Sequence, residues 1–144
     1  MPDVRPRIVF VSSETHRTGR PIDLATLGEF VEYNTMGSMA QYGYSKLALT
    51  TFARELASRL APGGDVQVAV HALCPGPVDS NIASPDKACE PSVYLTVAHA
   101  IEGRTGIYLH LMSEKEPAAQ ATDPAIRKGV WEAGMRFLAM DKAH

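Results

Sequence analysis

Tyr42 and Lys46 stand four residues apart in "QYGYSKLALTTFARELASRL", residues 41–60. That spacing puts two side chains on one face of a helix. A free tyrosine titrates near about 10 and exchanges protons poorly at neutral pH. A neighbouring ammonium favours the phenolate, and the first turn of a helix adds partial positive charge in the same direction. The pair therefore suits proton transfer near neutrality. Tyr44 has no lysine four residues on, which leaves it a structural or pocket-lining role. Two other segments carry polar or turn residues at the ends of apolar runs. "RIVFVSS" ends on Ser12 and Ser13, and "VQVAVHALCPG" ends on Pro75 and Gly76.

The elements that must position these residues follow from pattern. "RIVFVSS", residues 7–13, has four consecutive apolar residues, as in a parallel strand covered on both faces. In residues 14–40, "ETHRTGRP" reads as a loop, and "IDLATLGEFVEY" suggests a short helix capped by Asp23. In 41–60, Leu47, Leu49, Phe52, Ala53, Leu56 and Leu60 recur at spacings of three and four, which predicts an amphipathic helix. Pro62, Gly63 and Gly64 stop it. Val66 to Cys74 reads as a second strand, residues 77–92 as a polar loop, and "SVYLTVAHAI" as a short helix with Ser92 as N-cap. "TGIYLHL" is a third strand. "EKEPAAQATDP" is a connector, and "AIRKGVWEAGMRFLAM" is a final helix capped by Asp123 with Pro124 at its first position. Strands alternating with helices predict a parallel sheet in an α/β fold. The first strand would form an edge without a partner, an association liability.

The bulk properties exclude several classes. The net charge of −2 gives no reason to expect nucleic acid or an anionic membrane surface as partner. No apolar run approaches the roughly 20 residues of a membrane span, and the N-terminus lacks a signal peptide's apolar segment. Cys74 and Cys89 form neither a disulfide framework nor a metal-ligand pattern. The five histidines, His16, His71, His99, His110 and His144, show no ligand spacing and read as surface or satisfied strand residues. No metal site is expected. Trp131, at apolar spacing with Met135 and Leu138, reads as core packing. A cytoplasmic protein of a reducing compartment is the expectation.

The order strand–SS, YxxSK on a helix, then strand–PG resembles the short-chain dehydrogenase/reductase family, and the likeness runs from Arg7 over nearly the whole chain. "RIVFVSSETHR", "PIDLATL" and "YGYSKLALTTFARELASRL" are most similar to its retinol-dehydrogenase-like members. The resemblance implies a nicotinamide-dependent interconversion of a small-molecule alcohol and a carbonyl. In it Ser13 would hydrogen-bond the substrate oxygen, and Tyr42 would be the acid/base. Lys46 would hold the nicotinamide ribose hydroxyls and make the tyrosine the better acid. Pro75, Gly76 and Val78 would lie beside the nicotinamide, and Ser80 stands where the family often has threonine. Retinoid specificity does not follow, because the loop after the Pro-Gly turn is short and polar.

One family feature is absent from the 144 residues: no glycine-rich turn of the GxGxxG kind occurs to cradle a pyrophosphate at a helix N-terminus. The residue that selects NAD or NADP is absent with it, and the subgroup resemblance slightly favours NADP. The expected fold is thus the carboxyl-terminal half of a doubly wound, Rossmann-type parallel-sheet domain over residues 1–144, with about three strands and flanking helices. Such a chain by itself is expected to lack turnover. The competing expectation is a non-catalytic module that binds itself, or the missing half, through its exposed sheet edge.

Overall fold

The computed structural model describes residues 5–76 and 85–141. Strand β1 (Arg7–Val11) leads through a 3-10 turn at Glu14–Arg17 and an irregular segment to helix α1 (Ser38–Arg59). Strand β2 (Ala69–Cys74), helix α2 (Pro85–Val97) and strand β3 (Tyr108–His110) follow. A two-residue strand β4 (Ser113–Glu114), a short helix α3 (Ala119–Thr122) and helix α4 (Pro124–Asp141) complete the described chain.

The sheet order is β1-β2-β3-β4. The first three strands are parallel, with Arg7 opposite Ala69 and Ala72 opposite Tyr108, and β4 returns antiparallel on β3. All six residues of β2 are buried, which the two-residue period of a strand explains. Val70, Ala72 and Cys74 face Ala53 and Ala57 of α1, while Leu73 faces Leu95 of α2 together with Ile101 and Ile107. Alanines on the inner face of α1 let the helix lie close to the sheet. Outside α1, Trp131 of α4 stacks on Phe52 with ring centroids 5.3 Å apart. Arg59 covers the Trp131 ring at 4.4 Å, and Glu55 bonds both Arg59 and Arg127. Trp131 thus packs against α1 but is only half-buried, and Met135 and Leu138, expected to join it in a core, are exposed.

Several sequence expectations are corrected. Residues 22–33 form turns over 24–28 and otherwise irregular chain, not a helix. The Asp23 carboxylate accepts from the Ala25 N–H at 2.9 Å and the Thr26 hydroxyl at 3.2 Å, closing a local turn. Gly28 then takes a φ of 92°, outside any right-handed helix. Residues 85–91, read as loop, are helical, so Ser92 is interior to α2 instead of its cap. Pro85 opens that helix with no N–H to lose. The strand expected from Val66 begins at Ala69, and the third strand shrinks to three residues followed by a β4 that alternation did not signal. Asp123 does cap α4, accepting from the Ala125 and Ile126 N–H groups at 2.8 and 3.1 Å. Among the described residues no helix is long and apolar enough to cross a membrane.

Candidate active site

The site is assembled at the carboxyl end of β1, where the two serines divide the work. Ser12 is buried, and its hydroxyl pairs with Thr50 of α1 at 2.6 Å. Thr50 in turn donates to the Lys46 carbonyl at 2.8 Å. Ser12 is therefore an anchor for the helix. Ser13 begins the 3-10 turn, and its Oγ accepts from the Thr15 N–H at 3.3 Å and the Thr15 hydroxyl at 2.9 Å. With both acceptor positions in use, the Ser13 hydroxyl proton remains for an outside oxygen.

Lys46 reaches back across this junction. Its ammonium donates to the Val11 carbonyl at 2.9 Å and stands 5.5 Å from the centroid of the Tyr42 ring. One helical turn of spacing has placed the cation against the phenol, as expected. The helix begins three residues earlier than the pattern suggested, at Ser38. Tyr42 therefore sits one turn inside α1, where the helix dipole acts more weakly than at the first turn. Tyr42 is 44% exposed, whereas Tyr44 is 5% exposed with the Arg20 guanidinium 3.9 Å over its ring. Tyr44 is thus structural.

A cavity of about 500 Å3 opens beside α1, lined by Gln41, Tyr42, Ser45, Phe30, Val31 and Tyr33 among others. Ser13 and Lys46 are not part of its lining. The structure thus brings Tyr42 and Lys46 together and sets Ser13 two residues beyond the carbonyl that Lys46 holds. It does not put Ser13 into the cavity that Tyr42 lines. Pro75 and Gly76 follow β2 at the same end of the sheet. Gly76 has a φ of 83°, a left-handed conformation that favours glycine, and its α-carbon lies against the Leu111 side chain. Val78 and Ser80 lie outside the described residues.

A network missed at the sequence level supports the turn that bears Ser13. His16 is buried, its Nδ1 bonded to the Ser13 carbonyl at 2.7 Å and its Nε2 accepting from the Ala118 N–H at 2.9 Å. Burial lowers its pKa, outweighing the Ser13 carbonyl, which favours the cation. Tyr108 of β3 donates to Glu14 at 2.9 Å. Burial, reinforced by the Glu14 carboxylate, raises the Tyr108 pKa. Burial would raise that of Glu14 too, but the Tyr108 hydroxyl and Arg17 hold it below the usual carboxylate value. His71, expected to be a satisfied strand histidine, is a correction. It is buried in β2 with neither ring nitrogen hydrogen-bonded, and burial, with Arg7 and Arg104 nearby, lowers its pKa to about 4. The one signal for Gly43, which packs against the Ser13 turn, was a glycine inside a helical pattern.

Residues 30–90 match the model of the short chain dehydrogenase family. Retinol dehydrogenase 13 of Mus musculus is 31% identical over 96% of this chain and 47% of its own length. Polyprenol dehydrogenase of Mus musculus is 31% identical over 91% of this chain and 44% of its own. The chain spans about half the length of the curated relatives it matches. A crystal structure of an uncharacterized protein from Mycobacterium paratuberculosis superposes with a TM-score of 0.70 over 94% of this chain and 51% of that one. At 23% identity that likeness speaks to the fold.

Proposed function

The chain belongs to the short-chain dehydrogenase/reductase family, and from this premise we propose that it carries the proton-transfer centre of an oxidoreductase that interconverts an alcohol and a carbonyl. The observation that carries the reading is the Lys46 ammonium, held by the Val11 carbonyl and set 5.5 Å from the Tyr42 ring.

In the carbonyl-reducing direction Tyr42 donates its phenolic proton to the substrate oxygen, and Lys46 stabilises the phenolate left behind. In the reverse direction the phenolate accepts the alcohol proton. By the family resemblance Ser13, which does not line the cavity beside Tyr42, donates its hydroxyl proton to the same oxygen and orients it. NAD or NADP, when bound, supplies or accepts the hydride. The residues present fit the nicotinamide end of such a group. Lys46 spends one of its three N–H bonds on Val11, leaving two for ribose hydroxyls, and Gly76, with Pro75 before it, offers a turn without a Cβ at the end of β2. Val78 and Ser80, carried over from the family resemblance, complete the proposed coenzyme-binding set. NADP is slightly favoured by the subgroup likeness. We expect turnover to require a pyrophosphate-binding segment that these 144 residues do not encode.

Tyr42→Phe tests the reading in a protein that carries this sequence with such a segment. Turnover of an aldehyde should disappear while coenzyme affinity stays within about twofold; unchanged turnover removes Tyr42 as the proton donor. Calorimetric titration of the 144-residue chain with NADH and NADPH should show weak binding or none.

A second reading rests on a separate observation. β1 is an edge strand among the described residues, with Ile8 38% and Val11 51% exposed. Such an edge supports association of the chain with itself or with a segment that completes the sheet.

A further inference from the structure

We propose that His16 is a positioning residue for Ser13, acting as a neutral clamp between the turn that bears the serine and the segment that leads into α3. The proposal rests on the catalytic reading of Ser13 given above. His16 lies three residues after Ser13 and is 1% exposed. Its Nε2 faces the Ala118 N–H at 2.9 Å, and an N–H can only donate, so Nε2 must be the unprotonated acceptor. The proton of the neutral ring then resides on Nδ1, which donates to the Ser13 carbonyl at 2.7 Å. The partners on the two sides fix the tautomer without ambiguity.

The clamp joins residues 102 positions apart in the chain. On one side it holds the peptide whose α-carbon bears the Ser13 hydroxyl. On the other it holds the connector before α3, whose contacts with α1 are extensive. The groups facing the ring act in opposing senses. Tyr108 of β3 sits edge-on at 5.1 Å with its hydroxyl 3.4 Å from Nδ1 and directed to Glu14. Burial, foremost, and Arg17 oppose a charged imidazole, while the Ser13 carbonyl and Glu14 favour it, and the net shift is toward the neutral ring. A protonated ring would place a donor against the Ala118 N–H, and the clamp would open.

Long-range 1H–15N spectra of the imidazoles in the 144-residue chain test this directly. His16 should show a protonated Nδ1 and an unprotonated Nε2, and it should remain neutral at a pH where exposed histidines have begun to protonate. A protonated Nε2, or titration alongside the exposed histidines, overturns the proposal. His16→Phe keeps a ring and removes both bonds, so the Ser13 and Thr15 amide resonances should move. His16→Asn keeps a donor within reach of the Ser13 carbonyl and should restore them. A folded His16→Phe variant with unmoved Ser13 and Thr15 resonances overturns the proposal, and if that variant fails to fold, the wild-type tautomer and the Asn variant decide. In a protein that carries a pyrophosphate-binding segment, His16→Phe should lower kcat about tenfold with little change in KM, and Asn should recover it. Unchanged kcat overturns the positioning role. Ser13→Ala separates the two claims: full turnover in that variant, with the wild-type tautomer as expected, refutes the catalytic reading of Ser13 and leaves the clamp as structure only.

Discussion

Gly19 and Gly43 meet backbone to backbone. A Cβ on Gly19 would stand 2.6 Å from the Gly43 carbonyl carbon, and one on Gly43 would stand 2.6 Å from the Thr15 carbonyl oxygen. The turn that carries Ser13 is thereby pressed onto α1 at the residue next to Tyr42, closer than any other residue pair would permit.

This contact reverses an ordinary expectation. In a plain helix Gly43→Ala would stabilise by about 1 kcal/mol. Here the added methyl meets a carbonyl oxygen, so the variant should lose about 1–3 kcal/mol through overpacking. Urea unfolding of the two chains measures the sign, and a gain in stability would show that the two backbones are not in contact.

Lys46→Met keeps the length of the side chain and removes its charge. The Val11 bond goes with it. In a protein with a pyrophosphate-binding segment, turnover should fall about a hundredfold or more and coenzyme affinity should weaken as well. Steady-state kinetics with a coenzyme titration reads both, and loss of turnover with undiminished affinity would confine Lys46 to Tyr42.

His71 should make the fold sensitive to mild acid. Its pKa is lowered from 6.5 to about 4, so between those values the unfolded chain binds more protons than the folded one. Its contribution to stability is present above about pH 6.5 and is lost progressively as the pH falls to about 4. The loss amounts to about 3 kcal/mol. His16, shifted in the same direction, adds to it. His71→Leu should flatten the pH dependence of urea midpoints over this window, and an unaltered slope would place the sensitivity elsewhere.

The edge of β1 gives a prediction of association. Val11 is 51% exposed on a strand that has a partner on one side among the described residues. Val11→Lys puts a charge where another strand would approach and should shift sedimentation toward the monomer with unchanged helix content. Equal sedimentation of both chains would argue against pairing through this edge.

Local pattern was enough for part of this fold. The α/β class, the parallel strands ending in Ser12–Ser13 and Pro75–Gly76, and the helix that carries Tyr42 and Lys46 were all legible, because an apolar run and a 3.6-residue period are local marks; burial on both faces holds for β2, whereas β1, expected to be covered on both, leaves Ile8 and Val11 exposed. The helix expected at 22–33 was not found, since the Asp23 carboxylate and the φ of Gly28 outweigh a weak apolar pattern. The helical start of α2 was masked by Pro85 and Pro91, which read as loop residues although Pro85 stands at the first helical position and Pro91 is buried within the helix.

Sequence alone determined that Tyr42 and Lys46 stand one helical turn apart on one face, because both belong to one helix and their spacing is a local matter. Tertiary structure decided the rest. It separated the anchoring Ser12 from the available Ser13, brought Gly19 onto Gly43, and carried Ala118 to His16 across 102 positions. Those relationships depend on how distant backbones pack, and no periodicity within either segment records its partner in the other.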